Sequence, residues 1–156
     1  MIPQPVTSET DYCVLADRWQ VSQILAWNLV RMTRRLEFGF SIISGYRTVG
    51  EQEALRAAGR PTAPAGTSTH TVCPAQGVDV WPSIAVTDVV KARLGEAAVS
   101  VGLRWGGGSP IDPETGIPSD WNHLDLGPRV DRAVGIPGSG GHLPLIPGSG
   151  ADPTIA

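Results

Sequence analysis

The sequence predicts a single domain that combines helices with short strands. With 156 residues, of which 41% are hydrophobic, the chain is long enough to bury one core and short for two. An amphipathic pattern over residues 16–37 predicts a helix whose apolar side packs on a sheet. Short apolar runs bounded by Gly and Pro predict the strands of that sheet.

The first half of the chain predicts one strand and two helices. After the amphipathic helix, the apolar run at 38–45 predicts a buried strand, and helical periodicity resumes at 49–58. Arg47 lies where this strand ends, a place from which functional side chains often emerge. The segment 59–68 is too rich in Pro, Gly and Thr for regular structure, so we expect a loop that delivers His70.

The second half predicts three short strands around one helix. We expect strands at 77–81, 103–105 and 121–126 and a long loop at 106–119. We expect a helix at 87–101, with Ser83 or Thr87 as its N-terminal cap and Gly102 at its end. After Val134 the composition changes, and the pentapeptide IPGSG occurs twice. Gly, Pro and Ser cannot build a core, so we divide the chain into a domain at 1–134 and an extended tail at 135–156.

Charge and hydropathy exclude two classes of partner. The formal net charge of −3 gives no overall attraction to phosphate backbones, so we do not expect nucleic acid as a partner. No stretch approaches the ~20 apolar residues that a membrane-spanning helix needs, so we expect no membrane insertion. The first residues lack a basic start and an apolar run, and we therefore expect synthesis in the cytoplasm without a signal peptide.

Two histidines and an aspartate form the most informative group of residues. His70, Asp79 and His123 offer two imidazoles and one carboxylate, which would leave a fourth tetrahedral position open for water, as in catalytic zinc sites. Zinc lowers the pKa of a bound water to roughly 7, and a nearby carboxylate must then accept the proton. Cys73 is a possible further ligand, but a fourth protein ligand would close the site.

Asp120 is the candidate proton acceptor. It lies three residues before His123, and in a continuous strand this odd spacing would place the two side chains on opposite faces. The turn-forming residues 117–119 allow Asp120 to lie off the strand and fold back toward the metal. We therefore expect a turn, not a strand, at Asp120.

Four short elements recur in the order that a known peptidase family uses. They are Ser44-Gly45-Tyr46-Arg47, Ser68-Thr69-His70, Asp79 on a strand, and Asp120-Trp121-Asn122-His123. Over about residues 16–128 the chain resembles the zinc peptidases that include D-Ala-D-Ala carboxypeptidases, vancomycin-resistance dipeptidases and phage L-alanyl-D-glutamate endolysins. Two positions depart from the pattern. The interval from His70 to Asp79 is longer than usual, and Leu-Asp-Leu follows His123 where an aromatic residue and Glu or Gln are common.

This resemblance implies a fold and a reaction. The fold is α+β, with helices flanking a small antiparallel sheet, as in the M15-like peptidases of the Hedgehog/DD-peptidase fold. The resemblance implies one Zn²⁺ held by His70, Asp79 and His123, and hydrolysis of peptide bonds in bacterial peptidoglycan. Asp120 would be the acid/base, which is typical of the endolysins and favours an endopeptidase. Arg47 would contact the substrate carbonyl or carboxylate, and Ser68 would contact substrate or support a ligand.

Several alternatives remain open at this stage. The enzyme could be a free endolysin or a virion-associated hydrolase that acts on the cell wall. Alternatively, the chain could be a structural phage virion protein, of tail or capsid, that retains the peptidase fold and contacts other subunits through 135–156. Arg47 could serve only as a structural ion-pair residue. Cys13 and Cys73 could form a disulfide or remain free.

Overall fold

The protein is an α+β domain with an open five-stranded antiparallel sheet and four helices. The structure is a computed structural model that describes residues 2–60, 62–64 and 67–127. The strands are β1 Gln4–Val6, β2 Phe40–Ser44, β3 Gly77–Pro82, β4 Arg104–Trp105 and β5 His123–Asp125. The helices are α1 Tyr12–Trp19, α2 Gln23–Met32, α3 Val49–Ala57 and α4 Asp88–Ser100.

The sheet brings distant parts of the chain side by side in the order β1-β2-β3-β5-β4. All neighbouring strands are antiparallel. At the centre, Asp79 of β3 is paired with Ser44 of β2 on one side and His123 of β5 on the other. At the far edge, Arg104 of β4 is paired with Asp125 of β5. This register gathers polar residues from four strands around one part of the sheet.

The two faces of the sheet have different environments. Successive side chains of a strand point to opposite faces, so β3 sends Val78 and Val80 into the core and Asp79 to the other side. Helices α1, α2 and α4 cover the apolar face with buried side chains such as Leu15, Leu29 and Leu94. Helix α3 contributes no apolar residue to this core. The polar face is thereby left free to carry a site.

The helix expected at 16–37 is wrong as a single element, because the chain forms two helices there. Gln20 adopts a left-handed conformation (φ 52°) that ends α1, and Ser22 caps α2 by accepting a hydrogen bond from Leu25. Between the helices, Val21 forms an isolated β-bridge with Ala75. The break turns α2 back against α1 and ties the junction to the segment that follows His70.

The other elements match expectation to within a few residues, and Thr87 is the cap of α4. The strand β1 was not expected. The tail at 135–156 lies outside the described residues. Cys13 and Cys73 are both free and exposed, so the structure has no bridge between them. Within the described ranges, no helix combines the length and apolar character needed to cross a membrane.

Candidate metal centre

The three candidate ligands come from two adjacent strands and one loop. Asp79 and His123 are direct neighbours in the β3–β5 ladder. His70 follows the 59–68 loop, and its backbone is fixed where its carbonyl accepts a hydrogen bond from the backbone N–H of Arg47 (2.9 Å). Ser68 supports this turn, because its hydroxyl accepts a hydrogen bond from the backbone N–H of His70 (3.2 Å). Ser68, His70 and His123 are all buried.

Hydrogen bonds determine which ring nitrogen of each histidine is free. Nδ1 of His70 lies 2.6 Å from the carbonyl oxygen of Gly45, and because a carbonyl can only accept, Nδ1 carries the proton. Nε2 of His123 lies 2.8 Å from a carboxylate oxygen of Asp125, which likewise assigns the proton to Nε2. In the neutral rings the remaining nitrogens, Nε2 of His70 and Nδ1 of His123, carry the lone pairs that can bind a metal. When the His123 ring is protonated, its Nδ1 instead donates to Oδ1 of Asp79 (3.1 Å).

These two nitrogens and one oxygen of Asp79 form a compact triangle. His70 Nε2 and His123 Nδ1 are 3.1 Å apart, and Oδ1 of Asp79 lies 3.3 Å from the first and 3.1 Å from the second. Ligand atoms about 2.1 Å from a shared tetrahedral metal would lie about 3.4 Å apart. The described residues therefore include one His, Asp, His group that could hold a metal ion.

Arg47 holds the other oxygen of Asp79. Its Nη2 donates to Oδ2 of Asp79, its Nε donates to Ser44 Oγ (3.1 Å) and its Nη1 donates to Gln52 Oε1 (3.2 Å). Gln52 is buried and in turn donates to the carbonyl of Ala63 in the loop (2.7 Å). Arg47 is thus a structural ion-pair residue, yet it also lines the cavity. A guanidinium has five N–H donors, so two remain for a substrate.

The electrostatics of the metal-free cluster couple the histidines to the carboxylates. Burial alone would raise the pKa of Asp79, but its hydrogen bonds with His123 and His70 outweigh this and hold the pKa well below its usual range. Burial alone would lower the pKa of His123, but hydrogen bonds with Asp125 and Asp79 raise it to about 9. In the absence of metal, the His123 ring therefore carries a proton on both nitrogens and is cationic at neutral pH.

Asp120 lines the same cavity as the three candidate ligands. It belongs to a turn before β5, off the strand, with its backbone N–H donating to Ser109 Oγ (3.0 Å). Its carboxylate is close enough to His123, Asp79 and His70 to interact with their charges. Burial raises its pKa above the ordinary 3.8, the direction that makes a carboxylate a better proton acceptor near neutral pH.

One cavity of about 510 Å³ contains all the residues that the sequence singled out for chemistry. They are Arg47, Ser68, His70, Asp79, Asp120 and His123. Cys73 is exposed and is not a member of the potential metal-binding group. The geometry brings the predicted ligands together, while the chemical roles assigned to Asp120, Arg47 and Ser68 stay predictions.

The sequence analysis did not predict the residues that support the Nε2 side of the His123 ring. Asp125 and Arg104 line the same cavity, and Asp125 contacts the ring of His123. The ring also lies against the backbone of Gly77 and Gly107, where an added Cβ would approach ring carbons to 2.9 Å. Only glycine leaves this space free. The alternation of β5 could have revealed Asp125, because residues two apart in a strand share a face.

Comparison with known proteins identifies no family for this chain. No protein-family model matches the chain, and no curated protein matches it significantly.

Proposed function

We propose that this chain is a zinc-dependent peptidase that cleaves a peptide bond in the stem peptides of bacterial peptidoglycan. The observation that carries the proposal is the triangle formed by His70 Nε2, His123 Nδ1 and Asp79 Oδ1, with sides of 3.1–3.3 Å. Two imidazoles and one carboxylate are a ligand set that zinc accepts, and three protein ligands leave one position for water or substrate.

The residues around the triangle support hydrolysis. A zinc ion bound there would supply Lewis acidity and lower the pKa of a coordinated water. Asp120, in the same cavity and with a raised pKa, would accept the proton from that water and later deliver it to the leaving amine. Arg47 would use its remaining N–H groups to hold the substrate carbonyl or carboxylate.

One exposed arginine of the cavity could attract a peptide that carries carboxylates. Three arginines line it, and two of them, Arg47 and Arg104, are paired with Asp79 and Asp125. Arg60 also lines the cavity and is exposed, and Asp120 is a third aspartate of the lining. Stem peptides of peptidoglycan are short and anionic, so the exposed guanidinium of Arg60 would attract them.

The order of the sequence elements supports the family assignment within this proposal. The elements occur in the same order as in the zinc D-Ala-D-Ala peptidases and endolysins: the segment Ser44–Arg47, His70, Asp79 on β3, and Asp120 before His123. We therefore propose that the α+β sheet belongs to the Hedgehog/DD-peptidase fold and that the enzyme acts on the bacterial cell wall.

Metal analysis combined with peptidoglycan digestion tests this function. We expect about one zinc per chain, and new amino ends in the digest that mass spectrometry assigns to one peptide bond. Chelation should stop the release of these ends and added zinc should restore it, because the three ligands alone hold the ion. The His70→Ala variant is the matched control for contaminating hydrolases. Digestion that persists after chelation, or equally in the variant, would contradict the proposal.

A further inference from the structure

Asp125 is a buried carboxylate whose hydrogen-bonding capacity is fully used. Its Oδ1 accepts hydrogen bonds from Arg104 Nε (2.9 Å) and from the backbone N–H of Gly127 (2.6 Å). Its Oδ2 accepts from Arg104 Nη2 (2.8 Å) and from His123 Nε2 (2.8 Å). The residue is 0% exposed. Four donors around two oxygens leave Asp125 no lone pair for a metal or a substrate.

The contact with Asp125 determines how the ring of His123 is presented. An ionised carboxylate only accepts, so in the neutral ring that binds a metal it selects the tautomer with hydrogen on Nε2 and leaves the Nδ1 lone pair directed at the triangle. The other tautomer would put a proton on Nδ1, where it would block metal binding. The ring stands between Gly77 and Gly107, so it has little room to tilt.

Arg104 keeps this carboxylate charged and in place. Its bidentate pairing with Asp125 follows from the β4–β5 register, in which the two residues are direct partners. Two parallel N–H···O bonds fix the plane of a carboxylate more strictly than one bond can. The side chain of Arg104 is one-third exposed and lines the cavity, so the arrangement extends from the cavity wall to the ligand.

We propose that the Arg104–Asp125 pair is a positioning device that holds His123 in its metal-binding tautomer and orientation and thereby sets the affinity of the site for zinc. This inference rests on the zinc site proposed above. Removal of such an outer partner of a metal-bound histidine typically weakens metal binding 10- to 100-fold. Neither Arg104 nor Asp125 would contact the ion itself.

Zinc affinity of Asp125→Asn, measured by competition with a chromophoric chelator, tests the proposal. We expect the dissociation constant to rise about 10- to 100-fold, because an amide can present its NH₂ group to Nε2 and no longer selects one tautomer. Glu114→Gln is the control, since it removes one carboxylate from an exposed position of the 106–119 loop and should bind zinc as the wild type does. Circular dichroism and thermal unfolding of each variant report the fold.

A second variant covers the case in which Asp125→Asn leaves Arg104 poorly paired and the protein unfolds. Arg104→Gln combined with Asp125→Asn replaces the ion pair by two neutral amides that can still bond to each other, and its zinc affinity should also fall at least about tenfold. As a separate readout, ¹⁵N NMR of the zinc-loaded proteins should show a proton on His123 Nε2 that is protected from solvent exchange in the wild type and is not protected in the variants.

The outcomes separate this inference from the proposed function. If the wild type binds zinc and the folded Asp125 variants bind it equally tightly with an unchanged Nε2 proton, the positioning role is refuted while the zinc site stands. If Glu114→Gln weakens binding as much as Asp125→Asn, the effect is one of general charge, which also refutes it. If the wild type binds no zinc, both proposals fail.

Discussion

Two arginine–aspartate pairs flank the histidines, and the aspartates differ in how many of their oxygens are free. In the Arg47–Asp79 pair, a single guanidinium nitrogen holds Oδ2 and leaves Oδ1 facing His70 and His123. In the Arg104–Asp125 pair, two guanidinium nitrogens, a backbone N–H and an imidazole occupy both oxygens. Asp79 can therefore bind a metal, whereas Asp125 can only orient a ligand.

The charge and the pKa shifts of Asp79 and Asp125 do not distinguish their roles. Burial opposes ionisation of both aspartates, yet hydrogen bonds lower the pKa of Asp79 well below its usual range and that of Asp125 to about 2. Both are carboxylates at any physiological pH. The comparison teaches that the role of a carboxylate in such a cluster depends on which lone pairs remain uncommitted.

The largest expected effect is loss of the metal when a ligand is removed. Asp79→Ala, His70→Ala and His123→Ala each delete one of three protein ligands, so zinc content should fall from about one per chain to background. Zinc analysis after gel filtration in metal-free buffer measures this. If Asp79→Ala keeps a full complement of zinc, Asp79 is not a ligand, and the difference drawn between the two arginine–aspartate pairs is wrong.

A third carboxylate, Asp120, forms no ion pair with an arginine among the described residues and should separate chemistry from metal binding. Asp120→Asn keeps the size of the side chain but removes the base, and loss of a general base typically lowers the rate about 100- to 10,000-fold. Zinc content and circular dichroism should not change. Glu114→Gln, an exposed carboxylate in the same loop, is the control for the charge change.

Hydrolysis at the wild-type rate in Asp120→Asn would show that Asp120 is not the base. Loss of zinc in this variant would instead make Asp120 a ligand, and the role given to Asp79 would have to be revised.

The pH dependence of the metal-free protein should reveal the contact of His123 with both aspartates. The pKa of His123 rises from 6.5 to about 9 on folding, so the stabilisation is fully present below pH 6.5 and is lost as pH rises through about 9. A shift of this size corresponds to about 3 kcal/mol. Denaturant unfolding in the presence of a chelator, between pH 6 and 9.5, measures the loss.

Zinc requires neutral His123, so zinc affinity should increase over the same pH range in which the metal-free protein loses stability. The metal-free His123→Ala variant should lack this loss of stability. If the metal-free wild type is equally stable at pH 6 and 9, the hydrogen bonds with Asp79 and Asp125 do not raise the pKa of His123 as described.

Part of the candidate site can be predicted from the sequence, because the types and the order of its residues indicate the site. The ligand triad and Asp120 are predicted from residue type and from the short motifs that carry the resemblance, and the turn-forming residues 117–119 explain how Asp120 can lie off the strand. Asp125 was missed as a positioning residue, although its place two residues after His123 puts both on one face of β5. Its pairing with Arg104 depends on the β4–β5 register, which no local pattern encodes.

The misread helix has a similar physical cause. The apolar periodicity of 16–37 continues across Gln20, but the left-handed conformation of this residue is fixed by its surroundings, where Val21 bridges to Ala75. Strand β1 was missed because Gln4–Val6 is short and contains Pro5, which is tolerated at the edge of a sheet. Both features depend on tertiary pairing more than on local propensity.

The smallest expected effect concerns the geometry of the Arg47 guanidinium. Arg47→Lys keeps a positive charge beside Asp79 but replaces a planar fork with a single ammonium, so the contacts with Ser44, Gln52 and substrate cannot all be kept. One charge-assisted hydrogen bond to substrate is worth about 1.5–3 kcal/mol, so kcat/KM should fall about 10- to 150-fold. Zinc should remain bound, because Oδ1 of Asp79 still faces the histidines.

Arg56→Lys provides the control, since Arg56 pairs with Glu53 at the surface, where both side chains are nearly half exposed and such pairs contribute little. Peptidoglycan hydrolysis and zinc content are measured on the same preparations. If Arg47→Lys hydrolyses as well as Arg56→Lys does, the guanidinium serves only to hold Asp79. Arg47 would then only hold Asp79 in place for the metal, and the proton transfer and the activation of water would be left to Asp120 and the metal ligands.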